Sequence, residues 1–471
     1  MYTTNLQQGW ISIACMCLTM VPVTAVAQID EARAQIYFNE AALLCEREGG
    51  RIWGVSLCGP MVFADPAAQA IVTNQPPPAA DRPRVLGFVN APIEWGGTRW
   101  AAYVWPMIPE DDAQARGRLM LHELFHRVQP ELGLAVNGPA NEHLDALEGR
   151  YWLRLEWRAL AHALESTGLD RTAAIGDALA FRERRRNTFP GSAESERADE
   201  LREGLAQYTG TVAAAPSRTA AVADAVRQLA AAERAPTFVR TFAYPSGTAY
   251  GLLLDSLSPG WTRAITSASD LGTLVMRAAK IRPATDAEAS ANGYRGGELR
   301  IAEEGRARAQ QLRLAELRRR FVEGPLLIVP RGRGAMINTT GATPVPGEGT
   351  VFLEYRVTAE WGSLESNGVL QSADGATLRL PAPFQTTGNT LTGEGWKVVL
   401  SPGWGVRAGD RAGDFRVVRD PDQFGPVATL RPTDRLHRLT SVGQLSTIEA
   451  VSAALDRSIR PSRNRPWSST S

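Results

Sequence analysis

Histidine is scarce in this chain, with five in 471 residues, and lysine occurs only at Lys280 and Lys397. Arginine supplies nearly all the positive charge, and the acidic residues almost cancel it to a formal net charge of +1. That balance removes the electrostatic drive toward nucleic acid, and the lysine deficit reads as genome composition. No Gly-x-Ser-x-Gly elbow occurs, so a serine hydrolase would lack its usual nucleophile turn. What the chain does have is length and apolar content: 471 residues with a 44% hydrophobic fraction support two or three folded units with real cores.

Cysteine is also sparse, with four residues, two of them inside an N-terminal apolar run. That run, Trp10 to Ala27, is broken by Ser12, Thr19, Pro22 and Thr24 and ends in Ala25-Val26-Ala27 before Gln28. It has the core and small-residue cleavage site of a secretory signal peptide over residues 1–27, which implies a periplasmic or secreted protein. No Lys or Arg precedes the core, so an uncleaved membrane anchor is the alternative. Neither Cys15 nor Cys17 has a leucine three residues before it, as a lipoprotein site would. The remaining pair, Cys45 and Cys58, is expected to close a structural disulfide worth about 3 kcal/mol in an oxidising compartment.

Against the shortage of histidine, two of the five stand four apart in His122-Glu123-Leu124-Phe125-His126. A random HExxH in so histidine-poor a chain has odds of roughly one in several hundred. On a helix the two imidazoles project from one face and can share a Zn²⁺, with Glu123 beside them as general base. The segment Asp111 to Gln129 suits that helix. Acidic residues open it, Pro130 closes it, and Leu119, Leu121, Leu124, Phe125 and Val128 make it apolar enough to be central. A core helix with no metal would gain nothing from crowding three polar groups into one turn, since each unpaired buried polar group costs about 1 to 3 kcal/mol.

The patterning predicts an α+β protein. A helix over Ile29 to Glu48 precedes extended segments at Arg51 to Ala64, Ala70 to Thr73, Val85 to Val89 and Arg99 to Met107. Residues 28–108 thus form a small sheet-bearing part of the catalytic unit. Its strand Trp100 to Trp105 is the expected free edge, against which an extended peptide could pair independently of sequence.

Residues 109–322 read as helical and zincin-like. Beyond Asp111 to Gln129 they carry helices at Asn141 to Ser166, capped by Gly168, and at Arg171 to Arg186, Ala193 to Tyr208, Ser217 to Glu233, Gly247 to Leu257 and Glu298 to Val322. Arginines and glutamates interleave in the last of these, as on a solvated, ion-paired face. Short β-type runs punctuated by Gly and Pro make residues 325–420 a separate β-sandwich-like domain, and 421–471 a flexible tail.

A catalytic zinc needs a third protein ligand. Gln129 and Leu132 stand where a three-histidine HExxHxxGxxH site would have its glycine and third histidine, so a carboxylate is expected. Glu203, in Glu203-Gly-Leu-Ala-Gln-Tyr208, is the leading candidate, because Gly204 and Ala206 would let its helix approach closely. Glu156, Glu142, Asp145 and Glu148 are the alternatives.

HELFH followed by EGLAQY resembles the gluzincin metallopeptidases, a peptidase-MA-like group in which a glutamate on a downstream helix completes an HExxH zinc site. Tyr244-Pro-Ser-Gly247 is similar to the Tyr-x-x-Gly near the catalytic tyrosine of gluzincin aminopeptidases, which implies Tyr244 as oxyanion donor. No Gly-x-Met-Glu-Asn precedes the HExxH, so the resemblance does not extend to aminopeptidase specificity. The expectation is an exported zinc metallopeptidase acting on peptide or protein substrates, with His122, His126 and Glu203 as ligands. A second reading is a cell-envelope protein that keeps zinc without turnover and uses the β-domain to hold a partner or glycan. The intact Glu123 weighs against that reading. The sequence carries no signal for an oligomeric state.

Overall fold

The computed structural model describes residues 29–83, 89–338 and 341–419. The signal segment 1–27, most of the strand expected at Val85 to Val89 and the tail 421–471 lie outside the described residues. The chain is α+β, with a small N-terminal sheet, a helical middle and an all-β C-terminal region. It divides into two compact units, Met1–Ala307 and Arg308–Ser471. The division falls inside the helix Gly296–Arg318.

The first unit opens with α1 (Glu31–Glu48), whose N-cap Asp30 accepts from the Arg33 amide and whose C-cap Gly49 is left-handed. A disulfide joins Cys45 to Cys58, as expected from their spacing. Strands β1 (Met61–Asp65), β2 (Ala70–Thr73), β3 (Ala91–Trp95) and β4 (Thr98–Val104) form a sheet of order β2-β1-β4-β3 among the described residues.

That order corrects the expected edge. The strand containing Trp100 is β4, and it lies between β1, its parallel neighbour, and β3, its antiparallel one. Both its faces are covered: Trp100 and Ala102 belong to one apolar cluster, and Ala101 and Tyr103 to the main core. The outer strands are β2 and β3.

Eleven α-helices lie among the described residues, counting α1. They continue with α2 (Ala113–Val128), α3 (Leu147–Glu165), α4 (Gly168–Thr188), α5 (Ser192–Asp199), α6 (Leu205–Ala214), α7 (Arg218–Ala232) and α8 (Ala243–Leu257). After these come α9 (Leu271–Ala279), α10 (Ala287–Ala291) and α11 (Gly296–Arg318). The helix expected from Asn141 starts later, at Leu147, because Glu142–Asp145 makes a 3-10 turn and Ala146 is extended. Gly168 does not cap it. Ser166 does, and Gly168 opens α4 with a left-handed backbone. Between α5 and α6, residues Glu200–Gly204 form one π-turn in an otherwise continuous helical run. No helix among the described residues is long and apolar enough to cross a membrane.

The second unit carries strands β5 (Leu326–Pro330), β6 (Met336–Asn338), β7 (Thr343–Val345), β8 (Gly349–Phe352) and β9 (Glu354–Ala359). They are followed by β10 (Gly362–Ser366), β11 (Val369–Ser372), β12 (Thr377–Pro381) and β13 (Gln385–Thr387), then β14 (Thr390–Gly393), β15 (Trp396–Leu400), β16 (Trp404–Ala408) and β17 (Phe415–Arg419). Among the described residues they make two sheets, β13-β14-β15-β10-β9-β6 and β16-β17-β5-β12-β11-β8-β7. Residues from both, including Leu327, Val329, Tyr355, Trp396 and Val398, form one buried cluster, as two packed layers do.

Candidate metal centre

Helix α2 forms where the patterning placed it. The Asp112 side chain caps it by accepting from the Ala115 amide at 2.9 Å, and Gln129 ends it before Pro130. Leu124 and Phe125 are fully buried on its inner side, each burial worth about 1.5 to 3 kcal/mol. The Tyr103 hydroxyl donates to the Met120 carbonyl at 2.8 Å and ties β4 to the turn before the histidines.

The structure brings together His122, His126 and Glu203, and sets Tyr244 beside them. The two Nε2 atoms are 3.0 Å apart, and Oε2 of Glu203 lies 3.5 Å from that of His122 and 3.4 Å from that of His126. Four ligands around a zinc at about 2.0 to 2.2 Å are separated by about 3.3 to 3.6 Å, so this triangle is close to the size of a tetrahedral face, with its His–His edge somewhat short. Among the described residues it is the one group of its kind able to hold a metal ion. The chemistry of the donors points the same way. The Nδ1 atoms face the side-chain oxygens of Gln207, at 3.2 Å, and Gln129, at 2.8 Å; in the tautomer that donates Nδ1–H to these oxygens, each Nε2 presents a lone pair to the shared point. Two imidazole nitrogens and a carboxylate converging on one point are a donor set that could hold a cation.

Glu123 is 4% exposed, and its Oε2 is buried without a hydrogen-bond partner. Burial raises its pKa, against the lowering pull of His122 and His126. Burial would also raise Glu203, but hydrogen bonds to His122 and His126 overcome it and hold that carboxyl well below the usual range. The Tyr244 ring stacks parallel to that of His122 at 5.5 Å. Burial and then the neighbouring Glu203 charge push its hydroxyl well up, so it stays protonated as a donor. The cleft over these groups has a volume of about 320 Å³ and is lined also by Asn90, Ala91 and Pro92 at the outer strand β3, and by Arg202 and Asn137.

The alternative carboxylates lie elsewhere. Glu156 is fully buried against Arg182, Arg185 and the Tyr250 hydroxyl. Glu148 accepts from Trp152 and Arg300, Asp145 accepts from Thr237 and the Phe238 amide, and Glu142 is exposed.

Several residues that place Glu203 were not apparent from the sequence. Helix α6 approaches α2 at Gly210, not at Gly204: a Cβ on Gly210 would sit 2.3 Å from the Arg118 carbonyl oxygen and 3.2 Å from the His122 amide. Gly204 instead faces Gly247 of α8, where a Cβ would come within 2.4 Å of the Gly204 Cα, and this contact brings Tyr244 in. The π-turn is anchored from behind by Glu200, whose two oxygens accept from Arg182 at 2.6 and 2.5 Å. Arg182 and Arg185 of α4 also hold Glu156, and Arg185 grips Glu196 of α5 at 2.8 and 3.0 Å. Removing one partner from such a buried pair costs about 3 to 5 kcal/mol. A π-turn at a functional carboxylate is a recurrent association, but no residue type announces it.

Compared with family models, curated proteins and solved structures, the chain matches none.

Proposed function

We propose that the protein is an exported zinc-dependent metallopeptidase of gluzincin type, with His122, His126 and Glu203 as metal ligands. The observation that carries this reading is the buried, unpartnered Oε2 of Glu123 beside three converging donor atoms. A non-catalytic site needs the donors but has no use for such a carboxylate. The disulfide supports export, and the gluzincin assignment rests on the resemblance of HELFH and EGLAQY.

His122, His126 and Glu203 would hold the zinc, which would supply Lewis acidity and lower the pKa of a bound water toward about 7. Glu123 accepts the proton of the attacking water and returns it to the leaving amine, the task its raised pKa and free oxygen suit. Tyr244 donates its hydroxyl proton as a hydrogen bond to the oxyanion that develops on the former carbonyl. The substrate lies extended along β3, the outer strand that lines the cleft. Pro92 there has no N–H and offers an added strand only its carbonyl.

The test is hydrolysis of casein or a mixed peptide pool by purified protein, with and without a chelator. The reading predicts hydrolysis that chelation abolishes and added zinc restores. Hydrolysis that is indifferent to chelation overturns it, and zinc binding with no cleavage of any peptide favours the envelope-protein reading.

A further inference from the structure

Each candidate histidine ligand is backed by a glutamine whose amide cannot turn around. Gln129 donates its Nε2 to the Leu201 carbonyl at 2.9 Å and the Arg202 carbonyl at 3.0 Å. Carbonyls only accept, so its oxygen must face Nδ1 of His126. The His122 side is longer. Asp224 accepts from Nε2 of Gln228 at 3.0 Å, Gln228 Oε1 accepts from Nε2 of Gln207 at 2.7 Å, and Gln207 Oε1 is left facing Nδ1 of His122 at 3.2 Å. Arg118 pairs with Asp224 at the head of this chain. Direction is therefore set at Asp224, two amides away from the imidazole.

We propose that Gln228 and Gln207, poled by Asp224, are positioning residues that fix His122 in the Nδ1–H tautomer and keep its Nε2 lone pair free for the metal. This rests on the metal-centre reading above. An amide released from its partner presents its NH₂ to Nδ1 as readily as its oxygen. The NH₂ orientation favours the tautomer with Nε2 protonated, which cannot bind a cation. Outer partners of this kind tune affinity by about 10- to 100-fold. Gln129 plays the same part for His126, and it ties that ligand to the backbone of the π-turn bearing Glu203.

The test is zinc affinity measured by competition with a chromophoric chelator in a two-residue cycle, so that turnover is not needed. In the native background Gln228→Leu frees Gln207 and should weaken zinc binding about 10- to 100-fold. With Gln207→Glu already in place, the carboxylate has no donor face to present, and Gln228→Leu should then change affinity by no more than about twofold. In zinc-loaded protein the His122 Nδ1–H resonance should be protected from solvent exchange, lost in Gln228→Leu and recovered in the double variant. If Gln228→Leu does not fold, Asp224→Asn should give the same weakening, because an asparagine amide lets Gln228 turn over. An unchanged affinity in folded Gln228→Leu, or an equal loss in both backgrounds, overturns the relay and leaves the metal centre standing. Absence of zinc binding by the native protein overturns the metal centre and the relay with it.

Discussion

Gly210→Ala is the sharpest probe of how the site is built. One added methyl group would lie 2.3 Å from the Arg118 carbonyl oxygen, and backbone cannot swing aside as a flexible side chain can. An ordinary carbon–oxygen contact is about 3.3 Å, so α6 must withdraw from α2 by about 1 Å. Glu203 lies on the same helical run, and its Oε2 sits 3.4 and 3.5 Å from the two Nε2 atoms. Ligand distances at a zinc site tolerate about 0.2 Å, so the withdrawal exceeds what the centre can absorb. Overpacking costs about 1 to 3 kcal/mol, offset in part by about 0.5 to 1 kcal/mol from replacing glycine in a helix. The variant should fold with a slightly lowered melting temperature and bind zinc at least tenfold more weakly by chelator competition. Gly305→Ala is the control: nothing lies within 4 Å of its added Cβ, and it should leave zinc binding alone. Native zinc affinity in Gly210→Ala would refute the claim that this contact sets the ligand geometry.

Tyr244→Phe should keep zinc binding and KM close to native while kcat falls about 100- to 1000-fold, as loss of one oxyanion donor does. An equal fall in zinc affinity would make the hydroxyl a structural partner of Glu203 instead. The buried ion network predicts an acid-labile fold. Burial raises Glu196 and Asp270, but Arg185 and Arg182 respectively more than offset it and hold both carboxyls low. Their stabilisation is thus complete above the unfolded carboxylate range of about pH 4 to 5 and is lost as pH falls through it toward the folded values. Denaturant unfolding between pH 7 and pH 3 should show this loss, and Glu196→Gln should lower stability at pH 7 and flatten the slope. A slope unchanged in Glu196→Gln would place the acid sensitivity elsewhere.

The legible parts of the site were those written in local pattern. Asp112, the apolar stripe and Pro130 announce α2, and within it the spacing of His122 and His126 places both imidazoles on one face. Glu203 could be selected because small residues follow it, yet the small residue that meets α2 is Gly210, two turns on. The glutamines gave no usable signal, since Gln129 drew notice only for standing where a glycine would complete a three-histidine pattern. Its function depends on the Leu201 and Arg202 carbonyls, 72 and 73 positions away. The strand Trp100 to Trp105 was expected at the edge because an extended substrate would pair with a sheet edge beside the metal helix, while its aromatics suited an interior strand. Apolar residues on both of its faces, Trp100 and Ala102 against Ala101 and Tyr103, mark a central one. The π-turn at Glu200 stays invisible to periodicity because one extra residue per turn leaves no compositional trace.

The central claim is that Glu123 does the proton work at a zinc held by His122, His126 and Glu203. Its most direct test is peptide hydrolysis by Glu123→Gln protein whose zinc content has been verified. The side chain keeps its size and leaves all three ligands in place. The account predicts zinc bound as in the native protein and hydrolysis reduced by about 100- to 10,000-fold. Zinc-loaded Glu123→Gln that cleaves peptide at the native rate would contradict it.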